Sequence, residues 1–268
     1  MKFSHSNTAE RTSEATFIDV HCHCLPGLDD GPPDVPAALT LCRALAADRI
    51  ATVVATPHQL GRYDGRYDAK AIRQAVAQLN ELLAGARIPL KVLPGADIRI
   101  DERIEELVRS DEIVTVADGG RYLLLELPHE VFIDPEMLLA RLAEGGLCGV
   151  ITHPERHTFL AERPQYVRRW VSYRPCLQIT AGSFLGGFGR RSQEAAWAFL
   201  KEPLPLAIAT DAHDTAGRAP CMSQAYQLIS RHVGRDEADI LCVENPRRLV
   251  TGESLVMLNL EADRWTGR

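Results

Sequence analysis

The sequence lacks the features that would place the chain in a membrane or outside the cell. No run of about 18 apolar residues occurs, so we expect no membrane-spanning helix. Residues 1–16 are polar and have no apolar core, so we interpret them as a polar tail rather than as a secretion signal. The seven cysteines are odd in number and irregular in spacing, which predicts free thiols in a reducing cytoplasm rather than a disulfide framework.

Two further absences limit the possible partners. The chain has 30 lysines and arginines against 36 aspartates and glutamates, a formal net charge of −6, so no basic surface indicates nucleic-acid binding. The glycine spacing of dinucleotide-binding loops and the lysine of phosphate-binding P-loops are also missing. Gly186, Gly187 and Gly189 therefore predict a tight turn, with a phosphate-cradling loop as the alternative.

What the sequence does contain is an alternation of short apolar runs with amphipathic segments. Seven runs are predicted as strands, one starting at Phe17 and the others at 50–55, 90–93, 122–127, 148–152, 176–180 and 204–209. Helices are predicted from about Asp34 onward and at 68–84, 101–108, 135–144, 164–172, 192–200, 219–232 and 236–241. This order predicts an α/β fold with a parallel sheet, and we expect one domain at 17–268, a distorted, TIM-like (β/α)7 barrel.

The first predicted strand ends in a pair of histidines. Residues two apart in a strand point to the same side, so His21 and His23 share a face at the strand end. Two imidazoles in this arrangement are typical of a metal site, although two ordinary histidines are the alternative. Cys22 and Cys24 alternate with them and are predicted to pack on the other side of the strand.

Further side chains of the metal-binding type follow the first strand and the later ones, and the carboxyl ends of parallel barrel strands meet on one face. These strand-end residues are Asp29, Asp30, His58, Asp97, Glu126, His153, Glu155, Asp211 and His213. With His21 and His23 included, about five histidines and four of these carboxylates exceed what one zinc ion needs and suit two or three divalent ions with nitrogen and oxygen ligands. Taken singly, Asp97 could cap a helix, Glu126 could pair with an arginine and His58 could be a loop residue.

One segment has the spacing of a thiol-based tyrosine phosphatase. Cys242 and Arg248 fit the pattern C-x5-R, whose loop must offer several free backbone N–H groups to phosphate. Pro246 lacks an N–H and Glu244 would repel an anion, so we predict that this segment is not a catalytic loop.

Several stretches together resemble a known family. They are DVHCHCLPGLDDGP, ATPH, PGADIRI, LLLELP, ITHPERH, ITAGSFLGGFGRR, IATDAHD and VENPRRL, which run from about Phe17 to about Gly252. They resemble the polymerase-and-histidinol-phosphatase (PHP) superfamily, and more narrowly its metal-dependent protein-tyrosine phosphatases of bacterial capsule and exopolysaccharide synthesis. The resemblance implies a barrel of the PHP type.

The resemblance also implies roles for individual residues. Metal ligands are implied at His21, His23, Asp30, His58, Asp97, Glu126, His153, Asp211 and His213. Arg156 and Arg218 are implied to bind phosphate. Two or three divalent ions are expected, most commonly Mn²⁺, while the same ligands also accept iron, cobalt or zinc. The family usually has glutamate at the position of Asp97, and aspartate is shorter by one methylene group.

The function implied is hydrolysis of phosphotyrosine on a protein, a phosphoric monoester. The expected substrate is a membrane tyrosine autokinase that controls polysaccharide export, with no nucleic acid and no direct membrane insertion. The phenol of tyrosine has a pKa of about 10, so the leaving group needs little acid, although His213 could assist. The alternatives are a small-molecule phosphatase of the histidinol-phosphate type, a phosphodiesterase, or a non-catalytic metal-binding partner of the kinase.

Overall fold

The computed structural model describes residues 15–129 and 131–260. The strands in that part of the chain are β1 (Phe17–Cys22), β2 (Ile50–Ala55), β3 (His58–Gln59), β4 (Lys91–Pro94), β5 (Asp97–Arg99), β6 (Tyr122–Glu126), β7 (Cys148–Thr152), β8 (Cys176–Thr180) and β9 (Leu206–Ala209). All seven predicted strands are confirmed within a few residues. The predicted tail, 1–16, lies outside the described residues except for its last two positions.

The α-helices lie in the connections between strands and after the last strand. Those in the described part of the chain are α1 (Val35–Ala47), α2 (Ala69–Gly85), α3 (Ile104–Arg109), α4 (Glu136–Glu144), α5 (Thr158–Glu162), α6 (Ala181–Phe184), α7 (Gly189–Phe199), α8 (Met222–Val233), α9 (Arg235–Asp239) and α10 (Asn245–Thr251). Asp34 and Asp68 cap α1 and α2 by accepting bonds from the first-turn amides of Ala37 and Ala71, which explains where these helices begin.

The helix predictions needed three kinds of correction. The segment predicted at 164–172 is a 3-10 helix, Pro164–Tyr173, and the one at 236–241 divides into α9 and a π-helical turn at Ile240–Glu244. The sequence reading missed α5 and α6 because helices of five and four residues are too short to show a period. The sequence-based prediction also did not include α10. Pro246 fits into the first turn of this helix because its position donates no intrahelical hydrogen bond.

All the strands pair in parallel, as expected. One sheet has the order β1-β2-β4 and the other the order β3-β5-β6-β7-β8-β9. Backbone bonds from Asp211 N to His21 O (2.8 Å) and from His23 N to Ala212 O (2.9 Å) join the end of β9 to the end of β1. The strands therefore occupy seven positions, and the fold is the distorted (β/α)7 barrel that the sequence predicts.

Two of the seven positions contain a strand broken in the middle, which the sequence did not predict. β2 and β3 are separated by Thr56 and Pro57, and β4 and β5 by Gly95 and Ala96. At Gly95 a Cβ atom would lie 2.5 Å from Val54 Cγ1, so a side chain could not fit there without a shift of the neighbouring strand. After the break the strands pair again, with His58 opposite Asp97. The breaks thus place two predicted metal ligands side by side.

The cysteines of β1 pack as predicted. Cys22 and Cys24 are fully buried in the main apolar cluster together with Leu41 and Leu45 of α1, away from the two imidazoles. All seven cysteines are free thiols. Within residues 15–129 and 131–260, no helix has both the length and the apolar character that crossing a membrane requires.

Asn245, the first residue of α10, connects the end of the described chain to the barrel through hydrogen bonds. Its side chain is buried, donates to the carbonyls of Leu206 and Val256 and accepts from the amide of Val256, each at 2.8 Å. Asn245→Ala is expected to lower the free energy of unfolding by about 2–3 kcal/mol, because buried backbone groups lose their partners. Urea denaturation measures this change.

A matched control is Asn259→Ala, since Asn259 is exposed. This variant should differ from the parent by no more than about 0.5 kcal/mol. Equal free energies of unfolding for the two variants would contradict the role given to Asn245.

Candidate metal centre

The two histidines at the end of β1 are held in fixed orientations. His21 Nδ1 lies 2.8 Å from Gln178 Oε1, and His23 Nδ1 lies 2.6 Å from Asp29 Oδ2. The remaining nitrogens, Nε2 of each ring, face one another at 3.2 Å. A hydrogen bond to one imidazole nitrogen fixes the ring and leaves the other nitrogen available, which is the usual arrangement around metal-binding histidines.

The other predicted ligands converge on the same place. Five overlapping groups of side chains have ligand atoms within 4.8 Å of one another: His23, Asp30, His58 and His213; His21, His23 and Asp211; His21, Asp97 and His153; Glu126, His129 and His153; and His58, Asp97 and Glu126. All nine residues named from the sequence are present in these groups. The geometry therefore brings them together, while their roles as ligands remain predictions.

Two carboxylates at the centre have oxygen atoms with no hydrogen-bond donor in the described part of the chain. Asp97 Oδ2 is buried and lies 3.6 Å from His21 Nε2, 3.5 Å from His58 Nδ1 and 3.7 Å from His153 Nε2. Asp211 Oδ1 is buried in the same way, 3.3 Å from His21 Nε2. An unpaired buried carboxylate oxygen is costly, and cations among these nitrogen and oxygen atoms would compensate it. The donor set therefore fits divalent metal ions.

The protonation states also suit cation binding. Burial lowers the pKa of His21 and of His58 to about 4, so both imidazoles are neutral near pH 7 and keep a lone pair. Burial raises the pKa of Glu126 to about 6 and the pKa of Asp97 well above its usual value. Burial would raise the pKa of Asp211 as well, but the nearby Arg156 and Arg218 help to hold it well below the usual value.

Two of the central residues have a left-handed backbone conformation. His153 has φ 36° and Asp211 has φ 52°, values that residues other than glycine rarely adopt. His153 follows directly after β7, and Asp211 stands two residues after the end of β9. The left-handed conformation is a strained one that often occurs at functional sites.

The two predicted phosphate-binding arginines lie beside this cluster. Arg156 Nη1 is 2.5 Å from Asp211 Oδ2, and Arg218 donates to the same oxygen. Arg218 Nη1 also lies 2.8 Å from His213 Nε2. Both arginines line a cavity of about 240 Å³ whose wall includes Asp97 and Glu126. Cationic side chains and candidate metal ligands thus face the same small space.

Sequence reasoning missed several residues around the cavity. His129 stacks on His153 with ring centroids 5.2 Å apart, and Arg99 lies 3.0 Å from Glu126 Oε2. This ion pair confirms the alternative prediction for Glu126, that it pairs with an arginine. His129 stands three residues after Glu126, so the same strand-end reasoning could have found it. Arg62 pairs with Asp30 Oδ2 at 2.9 Å, and no pattern in the sequence indicated this contact.

Two other segments behave as the sequence predicted. Cys242 is fully buried at the π-helical turn, and burial raises the pKa of its thiol, so it is unsuited to act as a nucleophile. Gly186 and Gly189, with φ of 82° and 85°, form a tight turn between α6 and α7.

Glu155, one of the strand-end residues, is not part of the cluster. It accepts bonds from Thr180 N and Ser183 Oγ instead.

Comparison with known proteins identifies the family. A family model described as capsular polysaccharide synthesis, CpsB/CapC, matches residues 17–251. This chain belongs to the CpsB/CapC family. Tyrosine-protein phosphatase YwqE of Bacillus subtilis (strain 168) is 32% identical over 242 residues, which cover 89% of this chain and 93% of YwqE. Tyrosine-protein phosphatase CpsB of Streptococcus pneumoniae is 28% identical over 242 residues, 87% of this chain and 98% of CpsB.

Solved structures agree with the CpsB/CapC assignment. A structure from a study of YwqE from Bacillus subtilis and CpsB from Streptococcus pneumoniae, described as unique metal-dependent tyrosine phosphatases, superposes with a TM-score of 0.85 at 30% identity. The match covers 94% of this chain and 100% of that one. An organophosphorus hydrolase mutant from Deinococcus radiodurans, with a TM-score of 0.55 at 15% identity over 88% of this chain and 93% of its own, shares the fold alone.

The pKa values of the cluster predict how cation binding depends on pH. Protons compete with metal for Glu126 and Asp97, so apparent affinity for Mn²⁺ should fall by up to about tenfold per pH unit, per displaced proton, below about pH 6. Asp97→Asn should lower the number of bound ions. Isothermal titration from about pH 5 to pH 8 measures both quantities, with Asp34→Asn as the control for an exposed helix cap. Affinity that is flat across this range would contradict the assignment.

Proposed function

We propose that this protein is a metal-dependent phosphatase that hydrolyses phosphotyrosine on a protein substrate. The observation that carries the proposal is the position of Arg156 and Arg218 in one small cavity with Asp97 and Asp211, two buried carboxylates that each have one oxygen without a donor. Cations and arginines together suit a phosphoryl group, which is a dianion. Family membership and the names of the relatives, tyrosine-protein phosphatases, support the same reaction.

We further propose that the nine converging side chains hold two or three divalent ions. Their candidate groups overlap, since His21, His23, His58, Asp97 and His153 each belong to two of them. A shared ligand would hold neighbouring ions close together. Imidazole and carboxylate ligands suit Mn²⁺, and they also accept iron, cobalt or zinc. Asp97 stands where the family usually has glutamate, and its oxygen is already within 3.7 Å of three imidazole nitrogens.

The protein side chains would orient and neutralise the phosphoryl group. Bound divalent ions would polarise phosphoryl oxygens and lower the pKa of water to near neutrality. Arg156 and Arg218 would donate to the equatorial oxygens, and each guanidinium has further N–H groups beyond those used on Asp211. His213 could act as a ligand or as a proton donor, because its Nε2 faces both Asp30 and Arg218. The phenolate of tyrosine, with a pKa of about 10, needs little protonation to leave.

The proposed substrate is a membrane tyrosine autokinase that controls polysaccharide export, acted on in the cytoplasm. Support comes from the family description, which refers to capsular polysaccharide synthesis. The seven free thiols are consistent with a reducing compartment.

The direct test is hydrolysis of phosphotyrosine peptides with and without Mn²⁺. We expect chelation to reduce kcat/KM by at least about a hundredfold, because metal and arginines act on the same phosphoryl group. Cys242→Ser should retain activity within about twofold, because its thiol is buried away from the cavity.

The opposite pattern, loss with Cys242→Ser and none with chelator, would favour thiol chemistry. Faster turnover of histidinol phosphate than of the peptide would favour a small-molecule phosphatase. Metal binding without turnover of either substrate would favour a non-catalytic partner of the kinase.

Asp214 is predicted to position Arg218. The loop at 214–217 is exposed, and Asp214 Oδ1 accepts the amides of Ala216 (2.6 Å), Gly217 (2.6 Å) and Arg218 (3.1 Å). Without these bonds the loop would no longer present the guanidinium to the cavity, so Asp214→Ala should lower kcat/KM by about tenfold.

A double-mutant cycle with Arg218→Ala separates positioning from general loss of stability. If Asp214 acts through Arg218, its removal should have little further effect once Arg218 is gone. Asp34→Ala, which removes the exposed carboxylate that accepts a bond from the amide of Ala37, should leave kcat/KM unchanged. Additive losses in the double variant would rule out positioning.

A further inference from the structure

The most exposed large apolar side chains of the described chain are close together in the sequence. Met137 is 69% exposed, Val131 63% and Ile133 49%, above every other large apolar residue in that part of the protein. Isolated exposed apolar side chains are common, but a concentration of them in seven residues indicates a surface that contacts a partner.

Val131 and Ile133 are exposed because two neighbouring residues, Phe132 and Asp134, are held in place by contacts with the rest of the protein. The ring of Phe132 between them stacks on Phe159 with centroids 4.2 Å apart and meets Tyr166 edge-on. Asp134 accepts from Trp170 Nε1 at 3.0 Å and from Tyr166 Oη at 2.7 Å. With Phe132 packed inward, the residues on either side of it are directed outward. The apolar surface is therefore preformed.

Ile133 and Met137 line a groove of about 460 Å³ together with Ile100, Pro135 and Leu138. The arginines at its rim are already paired, Arg103 with Asp101 at 2.8 Å and Arg141 with Glu105. Glu102 and Asp134 also line the groove, so the surface offered to a partner combines apolar side chains with a few acidic ones.

The groove and the cavity are lined by consecutive residues of one segment. Arg99 lines the cavity and the next residue, Ile100, lines the groove. The exposed Val131 stands two residues after His129 of the cavity wall and two residues before Ile133 of the groove. The cavity, about 240 Å³, is smaller than most small-molecule sites, so a phosphotyrosyl side chain would fill it. The polypeptide next to that side chain must then lie on the surface around the mouth.

We propose that this groove, with Ile133 and Met137 in its wall, binds apolar residues of the polypeptide next to the phosphotyrosine. The inference rests on the proposed function and adds a substrate preference to it. Apolar side chains that insert between Ile133, Met137 and Ile100 would lose contact with water, while phosphate is held in the cavity. A substrate without such residues would keep only the phosphotyrosine contacts.

The test compares two phosphotyrosine peptides, one with leucine and isoleucine beside the phosphotyrosine and one with serine and glycine, and free phosphotyrosine. The Mn²⁺-loaded parent protein should have a lower KM for the apolar peptide. In Met137→Glu and Ile133→Glu this KM should rise by about five- to tenfold, while kcat/KM for free phosphotyrosine stays within about twofold. Leu82→Glu, at a 39% exposed position on α2, is the matched control and should leave every value unchanged.

Several outcomes would overturn the inference. They are equal KM values for the two peptides in the parent protein, no change of KM in the groove variants, or equal losses on peptide and free phosphotyrosine. A change of sedimentation coefficient in Met137→Glu without a change of KM would instead assign the groove to contacts between copies of this chain. Failure of the parent protein to hydrolyse free phosphotyrosine with Mn²⁺ would show that the proposed function itself is wrong.

Discussion

The structure depends on negative charge buried at the carboxyl end of the barrel. Asp97 and Asp211 each present an oxygen with no donor to a set of imidazoles that burial keeps neutral. Burying an unpaired carboxylate costs several kcal/mol, roughly, even after local relaxation, and either a bound cation or a proton on the carboxyl group, as the raised pKa of Asp97 indicates, would offset that cost. Gln178 Oε1 and Asp29 Oδ2 accept hydrogen bonds from Nδ1 of His21 and His23, and these bonds orient the two rings toward the buried carboxylates.

The barrel has been modified to bring these groups together. A regular strand would continue past Thr56 and Pro94, yet both strands break there and resume with His58 beside Asp97. The break lies at Gly95, a position that requires glycine because Val54 leaves no room for a Cβ atom. Left-handed backbone at His153 and Asp211 turns two further side chains inward. Two of the candidate ligands thus lie at positions of unusual backbone conformation, and left-handed residues other than glycine also occur elsewhere, as at Leu60 and Arg174.

Most of the fold could be predicted from the sequence, because apolar runs of five or six residues alternate with amphipathic segments. The strand-end pattern also gave eleven candidate ligands, since parallel strand ends converge, and the resemblance to a known family selected the nine that the structure brings together. The residues that could not be predicted act across long separations. Gln178 meets His21 from 157 residues away, and Arg62 reaches Asp30 from a different loop. No local pattern marks such a contact.

The sequence by itself therefore predicted seven parallel strands in a barrel and the chemistry of the strand ends, which follow from periodicity and residue type, local properties of the chain. The PHP type of the barrel and the family came from the resemblance of several stretches to a known family. Only the tertiary structure decided which nitrogen of each imidazole faces the centre, which carboxylate oxygens lack donors, and which apolar side chains line a groove close to the cavity. Those features depend on distances between residues remote in the chain, which exist only once the barrel has formed.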